Sequence, residues 1–586
     1  MVSLDITETS KALAVSGGYV VVIGLISYFM KERLFMSESL VATVAGIIFG
    51  PIALGWFDPS QWTDDLNYLT LQVARIVIAI QVLFTGIALP KAYLAREWLS
   101  LVTLLGPIMT TAWFIVSLLI WGLIPGLTFL ECLVIGACVT PTDPVLANAI
   151  CKGRFAEQHV PLHVRNIIVA EAGANDGLGY PFLYLPLYLI LIHEPTHPRH
   201  SVGGAVAEWI YNTVLYEIVL ACVIGAIIGF VARKVLRFAE ERDLIDHESF
   251  LSFGVALTFF TLGVVGIIGS DDILCCFVVG NSFTWDDWFR KETEDHAFQD
   301  VIDQLLNSGV FLFIGAILPW SQFGNFESIT PWRLVILGIL VMLVRRLPWV
   351  LLLSKWIPTL KTWREASFAG FFGPIGVGAV FYTQVALQQL PEGSSRERLR
   401  NSILPIVYFL VFTSVIVHGV TIPLGKGFQR VRTLTITRSQ SASFADTARV
   451  SRLPPALPIG AGASGSPRSP QYEERQEDPS GEMGRTGIRF DLEHRGKSLA
   501  NASAAEGTRG ILSRPSSPAG LRSRTSSHDR DYAREREGPG EQDEIAEEVE
   551  PRGQRWREGS NVVEESADGT RVRVFKRDQP ERVLSE

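Results

Sequence analysis

The feature that most constrains this chain is the recurrence of long apolar runs from residue 14 to about residue 424. A bilayer core takes about 20 apolar residues per helix, and runs such as 98–122 and 331–353 reach that length. Inside lipid every backbone polar group needs an internal partner, so only helices and closed barrels can span. Barrel strands are shorter and alternate in polarity, whereas these runs are unbroken. The pattern therefore predicts an all-α polytopic membrane protein. Thirteen spans are expected, near 14–30, 39–57, 68–90, 98–122, 128–150, 166–192, 209–232, 248–269, 271–284, 302–320, 331–354, 367–389 and 402–424. The ninth is short and polar-flanked, which leaves twelve open.

Lys and Arg of short loops gather on the cytoplasmic side of a membrane. With the N-terminus outside, Lys31, Arg33, Lys91, Arg96, Arg233, Lys234, Arg237 and Lys355 face inward. Lys11, Arg199, Arg396, Arg398 and Arg400 face outward. The loop at 391–400 runs against the rule. The chain then divides into a short segment 1–13, a membrane domain 14–430 and a cytoplasmic tail 431–586. From residue 440 Ser, Pro, Arg, Glu and Gly dominate, and such a composition buries too little apolar surface to offset chain entropy. Disorder is expected there. The stretch 560–577 reads as a short strand ladder, as a segment that docks on a partner, or as an unstructured basic end. No basic leader with a small-residue cleavage site opens the chain, so the first span is expected to be retained. The six cysteines lie in or beside apolar runs and read as small core residues.

A charge at membrane depth is costly and needs a reason. Four places stand out. In ACVTPTDPVLANA, residues 137–149, Pro141 and Pro144 each remove a backbone donor, so the helix should unwind. The freed carbonyls, with Thr142 and Asp143, are hard oxygen ligands suited to an alkali cation. In AEAGANDGLGYP, residues 170–181, Glu171 and Asn175 share a helix face and Asp176 lies about 100° round. Arg345–Arg346 in span eleven needs a carboxylate, and Glu171 is the natural partner. Asp271–Asp272, at the expected outer end of span eight or nine, reads as a cation-gathering mouth or as a solvated helix start. Arg75 and His418 read as paired core groups. A second interrupted span lies at 370–382, with Gly373 and Pro374 at its centre. Broken helices at matching positions of two halves point to an inverted-repeat secondary transporter.

The TPTDPVLA and EAGANDG motifs, the span-eleven arginine and GPIGVGAVFY together resemble the monovalent cation/proton antiporters. Within them the chain is similar to the fungal plasma-membrane sodium/proton antiporters, over about 15–430. The resemblance implies a plasma-membrane homodimer in which Asp176 carries both cation and proton. It implies a surrounding site of Asn175, Thr142 and Asp143, with Na+ or K+ at Asp176 and Thr142. It further implies a structural ion pair of Glu171 with the span-eleven arginine, Arg345 being the better match. Asp271 and Asp272 match an acidic pair of the fungal branch and form a possible ion path.

The expected function is exchange of Na+, or also Li+ or K+, for H+ by alternating access, supporting cation tolerance and pH homeostasis. A carboxylate neutralised by either ion crosses an apolar barrier more cheaply than a bare one, and that couples the two fluxes. No catalytic triad, His-rich metal site or phosphate loop is present, so no enzyme, cofactor or nucleic-acid partner is expected. A cation channel is the first alternative, although no carbonyl filter repeats. A sensor signalling through its tail is the second. RSQSAS (438–443), RPSSP (514–518) and RTSS (524–527) offer sites for phosphate and a phospho-binding regulator. Lipid contact is expected at the basic stretch 426–438.

Overall fold

The protein was analysed as a computed structural model describing residues 6–29, 36–151, 160–193, 201–293, 298–324, 329–390, 392–393 and 396–421. Three short segments near the C-terminus are also described. The chain divides into two compact units, Met1–Ile459 and Gly460–Glu586. In the first, every one of the thirteen expected spans contains helix. These helices are α1 (Glu8–Phe29), α2 (Glu38–Phe49), α3 (Leu66–Ala88) and α4 (Trp98–Leu123). They continue with α5 (Phe129–Cys138), α6 (Pro144–Cys151), α7 (Leu162–Asn175) and α8 (Tyr180–Ile190). Then come α9 (Val202–Glu240), α10 (His247–Ile268), α11 (Asp272–Phe283) and α12 (Phe298–Ala316). The last are α13 (Pro331–Leu352), α14 (Trp363–Phe371), α15 (Val377–Gln389) and α16 (Glu397–Thr421).

Seven of these are long and apolar enough to cross a membrane. The shorter apolar helices α2, α5 and α11 depend on neighbours. Such helices associate through close backbone approach rather than through water expulsion. A Cβ on Gly280 of α11 would overlap the Leu83 carbonyl of α3, and one on Gly86 would meet the Phe277 carbonyl at 2.7 Å. α11 is thus clasped between α3 and the second half of α9. Large apolar side chains on α9, among them Ile227, Phe230 and Val235, are exposed on the outer surface, as lipid contact requires.

Helix ends follow local chemistry. Asp65 accepts from Tyr68 N to start α3, and Thr128 with Glu131 closes a capping box on α5. Gly269, at φ 76°, ends α10 in the left-handed region. The loop at 391–400 explains its own excess of arginine. Arg400 donates to the Leu387 and Leu390 carbonyls that end α15, Arg398 to Gly126 O, and Arg396 pairs with Glu131 at 3.2 Å. These side chains are engaged in structure.

In the second unit, β1 (Gln554–Glu558), β2 (Asn561–Glu565) and β3 (Val572–Lys576) form an antiparallel sheet in the order β1-β2-β3. Val563 is paired with Trp556 on one side and Val574 on the other. Of the readings of 560–577, the strand ladder is therefore the observed one, extended upstream by β1. The boundary at 430–431, the basic stretch 426–438 and the Ser/Arg motifs lie outside the described residues.

Candidate functional site

The site is built where two helices break. In span five α5 ends at Cys138 and α6 begins at Pro144. In span twelve α14 ends at Phe371 and α15 begins at Val377. The two unwound stretches meet, and Asp143 N donates to Pro374 O at 2.9 Å. Ile375 N is taken up by Ser414 Oγ of α16 at 2.8 Å.

Two breaks bring four helix ends to one place. Helix N-termini carry partial positive charge and C-termini partial negative charge. Asp143 serves both N-termini, accepting from Leu146 N of α6 and Val377 N of α15, each at 2.8 Å. Arg345 serves both C-termini, donating to Val139 O after α5 at 2.5 Å and to Gly373 O after α14 at 2.6 Å. His418 completes this end, with its Nε2 3.1 Å from Phe371 O.

This geometry corrects the expected pairing of Glu171 with Arg345. The partner is Arg346, whose guanidinium makes two bonds to the Glu171 carboxylate and a third, through Nε, to Ala369 O at 3.3 Å. The helix breaks at these two arginines. Arg345 keeps helical dihedrals, but Arg346 has φ −131° and ψ −47°. Adjacent side chains therefore leave for different neighbours, one to the carbonyls and one to the acid.

Asn175 and Thr142 hold the unwound stretch to the end of α7. Asn175 Nδ2 donates to Thr142 Oγ1 at 2.7 Å, and Thr142 N donates to Asn175 Oδ1 at 3.0 Å. A cavity of about 10 Å³ lies beside them, lined by Thr140, Thr142, Glu171, Asn175, Arg345 and Arg346. That is room for about one water.

Asp176 is different. It is 1% exposed, and both its carboxylate oxygens are buried without a hydrogen-bond partner. Buried polar atoms are normally satisfied, and an orphaned one carries a large penalty. The backbone around it is fixed. Tyr382 Oη donates to Asp176 O at 2.5 Å, and a Cβ on Gly378 would lie 2.4 Å from Asp176 Oδ1. Gly376 lies against the Asp143 carboxylate in the same way, so the start of α15 runs past both acids. Thr142, Asp143, Asn175 and Asp176 do converge, and among these four only Asp176 holds side-chain oxygens without a hydrogen-bond partner. Each Asp143 oxygen accepts from a backbone N–H group, which makes Asp143 the cap of two helices in this conformation.

Asp271 and Asp272 separate. Asp272 pairs with Arg75, while Asp271 caps α11 by accepting from Leu274 N at 2.9 Å. They are 2% and 5% exposed, which rules out a solvated helix start. The six cysteines are free, and all but the partly buried Cys222 are buried. Sequence reasoning passed over Tyr382, although GAVFY was in view, and Glu217, a lone acid in an apolar run.

Residues 20–424 match the family described as sodium/hydrogen exchanger, transmembrane. A Na+/H+ antiporter of Saccharomyces cerevisiae is 41% identical over 453 residues, covering 74% of this chain and 45% of that protein. A Na+/H+ antiporter of Schizosaccharomyces pombe is 33% identical over 454 residues, covering 76% of this chain and 96% of the relative. The chain spans about half the length of the Saccharomyces protein and 61% of a second, probable Na+/H+ antiporter of Schizosaccharomyces pombe. The solved sodium proton antiporter MjNhaP1 of Methanocaldococcus jannaschii superposes with a TM-score of 0.51 at 17% identity, covering 70% of this chain and all of that one. That likeness gives the fold, and with the matched family and relatives it leads to one conclusion: the chain belongs to the transmembrane sodium/hydrogen exchanger family.

Proposed function

We propose that this protein is a secondary active antiporter that exchanges Na+, and also Li+ or K+, for H+, with Asp176 as the shared carrier. The observation that carries the reading is the buried Asp176 carboxylate, whose oxygens are both unpartnered beside two crossing broken helices. A bare carboxylate in that position is unfavourable and a loaded one is not. A proton or a dehydrated cation therefore competes for the same two oxygens. The Asn175–Thr142 clamp and Tyr382 hold the carboxylate's backbone on either side. Glu171–Arg346 ties α7 to α13, so the crossing moves as one body when access alternates.

The proposal extends to a homodimer in the plasma membrane, with the N-terminus outside and the tail in the cytoplasm as a docking place for a phospho-binding regulator. The test is cation-driven proton flux in proteoliposomes with the membrane potential clamped. Asp176→Asn keeps shape and removes the titratable charge, and flux should fall to the background of empty vesicles while the protein remains folded. Wild-type exchange by Asp176→Asn would overturn the reading.

A further inference from the structure

Among the other buried oxygens without a hydrogen bond of ordinary geometry, three belong to one neighbourhood away from Asp176. Asp271 spends Oδ1 on Leu274 N, but its Oδ2 has no partner at 2% exposure. Glu217 Oε2 and Thr213 Oγ1 are also buried and without a hydrogen bond of ordinary geometry. Glu217 and Thr213 stand four residues apart on Trp209–Val219, a π-helical stretch of α9. Long π-helical runs are rare, and such distortions concentrate at functional sites. The Glu217 and Asp271 carboxylates lie within electrostatic range of one another. Three hydrogen bonds fix this register. Ser270 Oγ donates to Tyr216 O at 2.8 Å and also reaches Glu217 O at 3.2 Å, while Tyr216 Oη donates to Ile268 O at 2.5 Å.

Among the described residues, no salt bridge compensates Glu217 or Asp271. Arg75 is committed to Asp272, the other member of the acidic pair. Tyr180, Tyr184, Tyr382, Cys222 and Cys275 lie within electrostatic range of Asp271. The place is also adjacent to the carrier. Gly177, next to Asp176, packs so tightly on α11 that a Cβ would lie 2.8 Å from Leu274 N, the group that Asp271 caps. Tyr180 stands edge-on to Tyr382 at 5.4 Å, and Tyr382 in turn holds Asp176 O.

We infer that Glu217, Asp271 and Thr213 form a second binding site for a monovalent alkali cation, a staging position one step removed from Asp176. Hard oxygens on a locally distorted helix, two of them anionic, are the donor set that such a cation takes. The inference rests on the antiporter reading for its role in transport, but the binding itself does not. The test uses the purified full-length protein and radiolabelled Na+ alone at equilibrium. Asp176→Asn should retain saturable Na+ binding, and adding Glu217→Gln should weaken it by about tenfold. Thr213→Val, which removes only a neutral ligand, should weaken it by about threefold. With Asp176 intact, Glu217→Gln should raise the KM for Na+ by about tenfold and change kcat by less than about twofold, and Glu217→Asp should restore the KM. Loss of all Na+ binding in Asp176→Asn, or an unchanged KM in both Glu217→Gln and Thr213→Val, would overturn the second site and leave these oxygens to water. Wild-type flux by Asp176→Asn would instead sink the carrier reading, whatever the binding data show.

Discussion

The two adjacent arginines of α13 can be separated by a double-mutant cycle. Glu171 and Arg346 are 2% and 6% exposed, and the carboxylate is bonded to both terminal nitrogens of the guanidinium. Removing one partner of such a pair strands the other charge and costs about 3–5 kcal/mol. Glu171→Leu and Arg346→Leu should each show a loss of that order. The double variant strands neither charge, so the coupling should exceed about 2 kcal/mol. Arg345→Leu fails for another reason. It leaves Val139 O and Gly373 O without donors, at about 1–3 kcal/mol each, and Glu171→Leu cannot repair that. Coupling of Arg345 with Glu171 should stay below about 1 kcal/mol. The assay is SDS-induced unfolding in mixed micelles, followed by near-UV circular dichroism for all single and double variants. Strong coupling of Glu171 to Arg345 with little to Arg346 would refute the assignment.

Other outcomes follow from the same crossing. Asp143→Ala uncaps α6 and α15 together, so it should lower stability by about 1–4 kcal/mol in the same unfolding assay, since a lost cap costs about 0.5–2. Asp143→Asn, which keeps an acceptor, should recover part of that loss. Gly378→Ala places a Cβ against Asp176 Oδ1 and should abolish flux in proteoliposomes without unfolding the protein, as judged by size-exclusion chromatography. Truncation after residue 440 should leave the initial exchange rate per reconstituted protomer within about twofold of the full chain, since every residue of the proposed site lies before residue 430; a fall to background would place part of the tail in the transport machine.

Much of this was legible in the residues. Pro141, Pro144 and Pro374 announce breaks in two apolar runs because proline removes a donor wherever it stands. Glu171 at membrane depth demanded an arginine, and one was found. Which arginine depended on dihedral angles at residues 345 and 346, which nothing local dictates. Asp143 read as a ligand because its type suits one; that it caps two helices depends on α15 arriving from more than two hundred residues away. Arg396 and Arg400 looked like a violation of the charge rule until the carbonyls and Glu131 around them were visible. Glu217 is a different case. The same cost argument that singled out Asp176 applied to it, but that Asp271 comes within electrostatic range of it is a tertiary fact.

If Asp176 is the carrier, the crossing also sets how transport answers to voltage. With each group in its ordinary ionised form, Asp143 balances Arg345 and Glu171 balances Arg346, so the unloaded assembly carries one net negative charge, that of Asp176. One proton or one alkali ion brings it to zero. A loaded protein then moves no net charge in either direction, and the electric field has little leverage on that step. On the carrier proposal, any dependence of exchange on membrane potential would arise where ions enter and leave, and not in the swing of the bundle itself.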